Sequence, residues 1–161
     1  GGFDTVKQNN SSQIIYINSI MKNPSLCDGT GYRTVLFLQG CDLHCKGCHN
    51  KETWDIAKGI RITVAELADT LRKSCFNKEL TISGGEPLMQ ADAVYELITL
   101  LYDFDICLYT GHDISEVPPK ILDKIHYLKY GPYIEELKTT TTPFVGSINQ
   151  VFTEISHATS E

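Results

Sequence analysis

The chain has 161 residues, 42% of them apolar and 21% charged, which is the composition of an ordinary globular protein with room for a real core. Its formal charge is −6, with lysines and arginines scattered, and this argues against a nucleic-acid partner, whose affinity comes mainly from phosphate neutralisation. The longest apolar runs are far too short to span a bilayer, and no basic stretch followed by an apolar one opens the sequence, so neither a membrane partner nor secretion is expected.

Residues 1–13 read as a polar, flexible N-terminal segment, and residues 14–161 as a single domain with no internal repeat or linker. IIYINSI (14–20) is the first strand pattern, followed by a turn-rich stretch, NPSLCDGTG (23–31). TVLFLQ (34–39) is a nearly continuous apolar run, as a strand buried on both faces of a parallel sheet requires. Thr63 with Glu66 makes a capping box, which predicts a helix running to about residue 75. ELTIS (79–83) is a strand ending in GGEPL, and Ala93, Val94, Leu97, Ile98 and Leu101 then recur at helical spacing over about 90–103. DICLYT (105–110) is a further strand, Pro118 and Pro119 suit the first turn of a short helix, and HYLKY (126–130) closes the alternation. From residue 131 the tail shows little regular pattern until Val151 and Phe152. Strands alternating with helices predict an α/β fold with a mainly parallel sheet, in which ligands collect at the carboxyl ends of strands.

The loop after the second strand carries the chemistry. GCDLHCKGCHN places Cys41, Cys45 and Cys48 at the spacing Cys-x3-Cys-x2-Cys, with no fourth cysteine nearby. A [4Fe-4S] cluster is usually held by four thiolates, so three leave one iron open, and an open metal position is where a site does chemistry. A structural zinc with His44 or His49 as fourth ligand is the alternative the loop alone leaves open, which would make the chain a zinc-stabilised binding module. Six cysteines in a chain without a secretion signal point to a reducing, cytoplasmic compartment. Cys75 and Cys107 fall in helix and strand patterns and read as core filling, while Cys27 receives no role.

The cysteine spacing, joined to Gly84, Gly85, Glu86 and Pro87 after the next strand, resembles the radical S-adenosylmethionine superfamily. CHNKETWD (48–55), DGTGYR (28–33), YTG (109–111) and the tail PFVGSINQ (143–150) are similar to segments of the activases of glycyl radical enzymes, most of all to activators of anaerobic ribonucleoside-triphosphate reductase. Gly47 matches those activators, whereas His49 is closer to the activator of pyruvate formate-lyase. The resemblance implies an incomplete radical-S-adenosylmethionine-type β/α barrel and an oxidoreductase with two cofactors, a [4Fe-4S] cluster and S-adenosylmethionine. Cys41, Cys45 and Cys48 would hold the cluster and carry the catalysis, and the methionine amino and carboxylate groups would chelate its open iron. Gly47, His49, Gly84, Gly85 and Glu86 would bind S-adenosylmethionine. The two motif glycines would allow close passage of the backbone to the ligand, and Glu86 would accept a hydrogen bond from the methionine ammonium. One electron, from a donor of flavodoxin or ferredoxin type, would cleave the sulfonium and give a 5′-deoxyadenosyl radical, which abstracts hydrogen from a glycine of a partner enzyme. Activation of another glycyl radical enzyme, such as pyruvate formate-lyase, or of a small-molecule substrate is the alternative within the same chemistry. Gly31 leads straight into a strand, so the target glycine is expected in trans. Gly146, Ser147, Asn149 and Gln150 are expected to shape the edge at which that partner docks.

Overall fold

The computed structural model describes residues 13–25, 33–41, 54–142 and 145–157, with the side chains of 22–25 left aside. Cys27, Cys45, Gly47, Cys48, His49 and almost all of the N-terminal segment lie outside these residues.

Among the described residues, seven strands form one sheet: β1 (Ile14–Ser25), β2 (Arg33–Leu38), β3 (Ile60–Thr63), β4 (Glu79–Gly84), β5 (Asp105–Tyr109), β6 (Tyr127–Tyr130) and β7 (Val151–Glu154). Their order is β3-β1-β2-β4-β5-β6-β7. The centre, β2-β4-β5-β6, is parallel, as the strand–helix alternation requires. β1 pairs antiparallel with both β2 and β3, and β7 antiparallel with β6. The first strand runs on through Asn23 and Pro24 to Ser25, beyond its expected end, with register shifts where the pattern breaks. β3 went unpredicted because it is a four-residue edge strand, with Ile60 and Arg61 exposed, and offers no apolar run.

Among the described residues, three α-helices follow strands: α1 (Val64–Ser74), α2 (Ala91–Leu100) and the single turn α3 (Pro119–Leu122). The expected capping box forms at α1, where Thr63 Oγ1 accepts from the Glu66 amide at 3.1 Å and Glu66 Oε1 from the Thr63 amide at 3.4 Å. Leu67 and Leu71 of α1, Val94, Leu97 and Ile98 of α2 and Ile121 of α3 pack on Leu36, Leu38, Leu80, Ile82, Ile106, Leu108 and Leu128 of the sheet.

Alternate residues of the same strands face the other way. That inner face carries Arg33 and Val35, Thr81 and Ser83, Cys107 and Tyr109, then Tyr127 and Lys129. None of these belongs to the helix-covered core, but Val35 and Phe37 make β2 apolar on this side as well, so it is the strand buried on both faces that its sequence predicts. Arg33, only 1% exposed, lies across the start of this face. Its guanidinium donates to Thr81 Oγ1 at 3.0 Å and to the carbonyls of Leu80 and Asp105 at 2.9 and 2.7 Å, with Asp105 Oδ1 at 2.7 Å. A buried guanidinium is tolerable only when paired in this way. The fold is thus the expected partial barrel: parallel strands, helices outside, and a polar inner surface running toward the strand ends.

Candidate cofactor site

The carboxyl ends of β2, β4 and β5 converge on one edge. β2 delivers Gln39, Gly40 and Cys41, and the Cys41 amide donates to the Trp54 carbonyl at 3.0 Å, closing the neck of the cysteine loop. Gln39, buried, reinforces that closure by donating from Nε2 to the Asp55 carbonyl at 2.8 Å and accepting from Asn18 Nδ2 at 3.1 Å. Gln90 fastens the same neck to β1: its Oε1 accepts from the Tyr16 amide, and its Nε2 donates to the carbonyls of Tyr16 and Gln39. Neither glutamine was singled out from the sequence. Their signal is weak, a polar residue ending an apolar strand and another preceding a helix.

β4 ends in the second motif, and the two motifs are hydrogen-bonded to each other. The Gly85 amide donates to the Leu38 carbonyl at 3.1 Å, and the Glu86 amide to the Gly40 carbonyl, next to Cys41, at 2.7 Å. Gly84 has φ +113°, and a Cβ there would fall on the backbone N and O of Leu38. The close approach that demands this glycine is to β2, a reason the sequence did not reveal.

Glu86 is 1% exposed, and both oxygens of its carboxylate are bonded within the fold. Oε2 accepts from the Leu88 amide at 2.9 Å and from Thr110 Oγ1 at 2.7 Å, while Oε1 accepts from the Gly111 amide at 2.8 Å. Burial pushes its pKa above the ordinary carboxylate value, against the pull of these three donors and of nearby His112. The network continues outward. The His112 amide donates to Thr110 Oγ1, His112 Nδ1 lies 3.2 Å from Glu116 Oε1, and the Gly131 amide donates to the His112 carbonyl. On the inner face of this edge, Lys129 Nζ sits 3.9 Å from the centroid of the Tyr109 ring.

A thiol at this neck is the kind of donor an iron–sulfur cluster takes. Cys41 is at the edge, 8% exposed, whereas the other two described thiols are committed elsewhere. Cys75 Sγ donates to the Glu79 carbonyl at 3.4 Å. Burial pushes the Cys107 thiol up to about 12, and it sits fully buried on β5. Of the expected site residues, the structure brings Cys41, Gly84, Gly85 and Glu86 together.

The sequence profile of the 4Fe-4S single cluster domain family matches residues 27–153. An anaerobic ribonucleoside-triphosphate reductase-activating protein of Vibrio cholerae is 36% identical over 140 residues, covering 77% of this chain and 88% of the relative. The chain belongs to both families. A reductase-activating protein of Escherichia coli K12 is 29% identical over 78% of this chain and 90% of its own length. The pyruvate formate-lyase-activating enzyme of Clostridium pasteurianum is 42% identical over 89 residues, which is 52% of this chain and 37% of that enzyme. The crystal structure of QueE from Escherichia coli shares the fold, with a TM-score of 0.58 at 18% identity over 81% of this chain and 75% of that one. The expected recognition as a glycyl radical enzyme activase, its enzymatic character and its two cofactors, a [4Fe-4S] cluster and S-adenosylmethionine, accord with these matches.

The reductase-activator tail takes a more definite shape than its sequence indicated. Gln150 Oε1 accepts from the amides of Gly146 and Ser147 at 2.8 and 3.1 Å, and its Nε2 donates to the Gly131 carbonyl at 3.0 Å. Asn149 Nδ2 donates to the Pro132 carbonyl at 2.8 Å. Both side chains face inward and knit the tail to the loop after β6. Gln150→Ala should therefore lower stability by about 1–3 kcal/mol, the cost of leaving such groups unsatisfied, read as a lower urea midpoint at constant slope.

Proposed function

We propose that this chain binds a [4Fe-4S] cluster through Cys41, Cys45 and Cys48 and, with S-adenosylmethionine, installs a glycyl radical on anaerobic ribonucleoside-triphosphate reductase. The observation that carries the reading is the hydrogen bond from the Glu86 amide to the Gly40 carbonyl, which locks the Gly84–Pro87 motif against the cysteine loop at the open edge of a parallel sheet. The relative of matching length, 36% identical, supports the choice of reductase. Bound together, the cluster and S-adenosylmethionine supply the radical that takes hydrogen from the target glycine.

The chain's own residues do the rest. Gln39 and Gln90 hold the neck that sets Cys41, and Glu86 ties the ends of β2, β4 and β5 into one rigid rim. Ser83, Tyr109 and Lys129 form the inner surface beside that rim, while Gly47 and His49, flanking Cys48, are assigned to the adenosine part. The electron comes from a flavodoxin or ferredoxin-type donor. The substrate of this reading is a protein in the cytoplasm; no helix among the described residues is long and apolar enough to cross a membrane.

Anaerobic reconstitution followed by reduction, with S-adenosylmethionine and the reductase present, should give a glycyl radical signal by electron paramagnetic resonance. Cofactor cleavage without that signal, at any reductase concentration, would refute the assignment. The match to a pyruvate formate-lyase-activating enzyme favours a second reading over half the chain, and the same assay with pyruvate formate-lyase decides between the two.

A further inference from the structure

We propose that the double loop beyond β6 is the shoulder on which the glycine-bearing protein docks, with Ile148 and Ile134 as its apolar contact. This rests on the reading above and names the surface that reading requires. The two arms of the loop are bonded to each other: the Ile148 amide donates to the Leu137 carbonyl, the Thr139 amide to the Gly146 carbonyl, and the Ile134 amide to Ser147 Oγ, with Ser147 fully buried. Gln150 and Asn149 clamp both arms to Gly131 and Pro132 at the carboxyl end of β6. Gly131 in turn bonds to His112, and through Thr110 the network reaches Glu86. The shoulder is thus fixed to the cofactor rim itself.

What this scaffold holds outward is apolar. Ile148 is 60% exposed and Ile134 36%. Single exposed aliphatic residues are ordinary, but two on the facing arms of one braced loop beside a reaction mouth offer a protein contact. A small substrate would sink into the mouth and leave this surface unused. A substrate that is a backbone glycine arrives attached to a folded protein, whose flanking surface must rest on something beside the mouth. Glu135 and Glu136 are exposed next to Ile134, so the partner surface should pair an aliphatic pocket with lysine or arginine.

Ile148→Glu places a charge on an already exposed side chain, so folding, checked by far-ultraviolet circular dichroism, should be unaffected. Uncoupled cleavage of S-adenosylmethionine in the reduced holoenzyme should also be unchanged. The reductase concentration giving half-maximal glycyl radical should rise about tenfold or more, as it should for Ile134→Glu. Phe76→Glu, 90% exposed at the opposite end of the strands, should leave both readouts alone. Unchanged half-maximal concentrations in both isoleucine variants, with an active unaltered enzyme, would overturn the docking surface while leaving the functional reading intact. If the unaltered enzyme installs no radical on the reductase, the functional reading fails and the shoulder falls with it. An equal loss in uncoupled cleavage would make the residues structural and overturn the docking role.

Discussion

Alanine at Cys41, Cys45 or Cys48 is expected to abolish both the visible absorbance of the [4Fe-4S] cluster and the reductive cleavage of S-adenosylmethionine, with loss below detection. Cys75→Ala and Cys107→Ala are expected to keep both. In the proposed site each of the three loop thiolates would hold one iron, and removing any one would leave too few ligands to retain a cluster that already has an open position. Cys107 points from β5 onto the inner face, fully buried, with a thiol pushed up to about 12, and such a group is no thiolate at neutral pH. Cys75 closes α1 and donates to a β4 carbonyl. Truncating either should cost about 1 kcal/mol of stability, the usual scale for single substitutions, and no iron. Iron and sulfide analysis of anaerobically purified variants checks the contrast. Bleaching in Cys107→Ala with all three loop cysteines intact would mean that the cluster draws on a fourth thiol.

Much of this was legible because local patterns carried it. Thr63 and Glu66 wrote the start of α1, the spacing from Ala93 to Leu101 wrote α2, and the two chemical motifs, each after a strand pattern, put the site on one sheet edge. What escaped notice depends on contacts between distant segments. Arg33 looked like a loop residue before an apolar run, yet its guanidinium spans β2, β4 and β5 and gives the inner face its polar floor. β3 is too short and exposed to leave a pattern, and exists because β1 offers an edge. Asn149 and Gln150 looked like docking residues because they are polar and in an irregular tail. Their partners are main-chain groups elsewhere, while Ile148 between them and the buried Ser147 stands exposed. In each case the side chain's role was set by what lay across from it, which no single stretch of sequence records.

Glu86→Ala is expected to damage the fold as well as the cofactor site, and this separates the structure's view of the motif from the one its sequence invites. A carboxylate reserved for the methionine ammonium would, on removal, cost about 1.5–3 kcal/mol of S-adenosylmethionine affinity and leave stability and iron content near normal. In the structure, three donors from Leu88, Thr110 and Gly111 already converge on the two oxygens. Stranding them should cost about 3 kcal/mol or more of unfolding free energy, at about 1–3 kcal/mol for each unsatisfied group. Iron content should fall with it, because the same residue's amide is bonded beside Cys41. Glu86→Gln keeps the shape but offers an amide nitrogen where one of three donors needs an acceptor, so it should be destabilised by less than alanine. The pH dependence carries a definite sign. Burial raises the folded pKa of Glu86 above its unfolded value, so the native state binds more protons than the unfolded one between the two. Glu86 therefore contributes its full stability below the ordinary carboxylate range and loses part of it as pH rises through the raised value. Glu86→Gln lacks that titration, so its stability deficit relative to the unaltered protein should shrink over the same rise in pH. Anaerobic urea titrations across the acidic to neutral range measure it. If Glu86→Ala matched the unaltered protein in urea midpoint and iron content while losing only S-adenosylmethionine affinity, the carboxylate would belong to the cofactor and not to the rim.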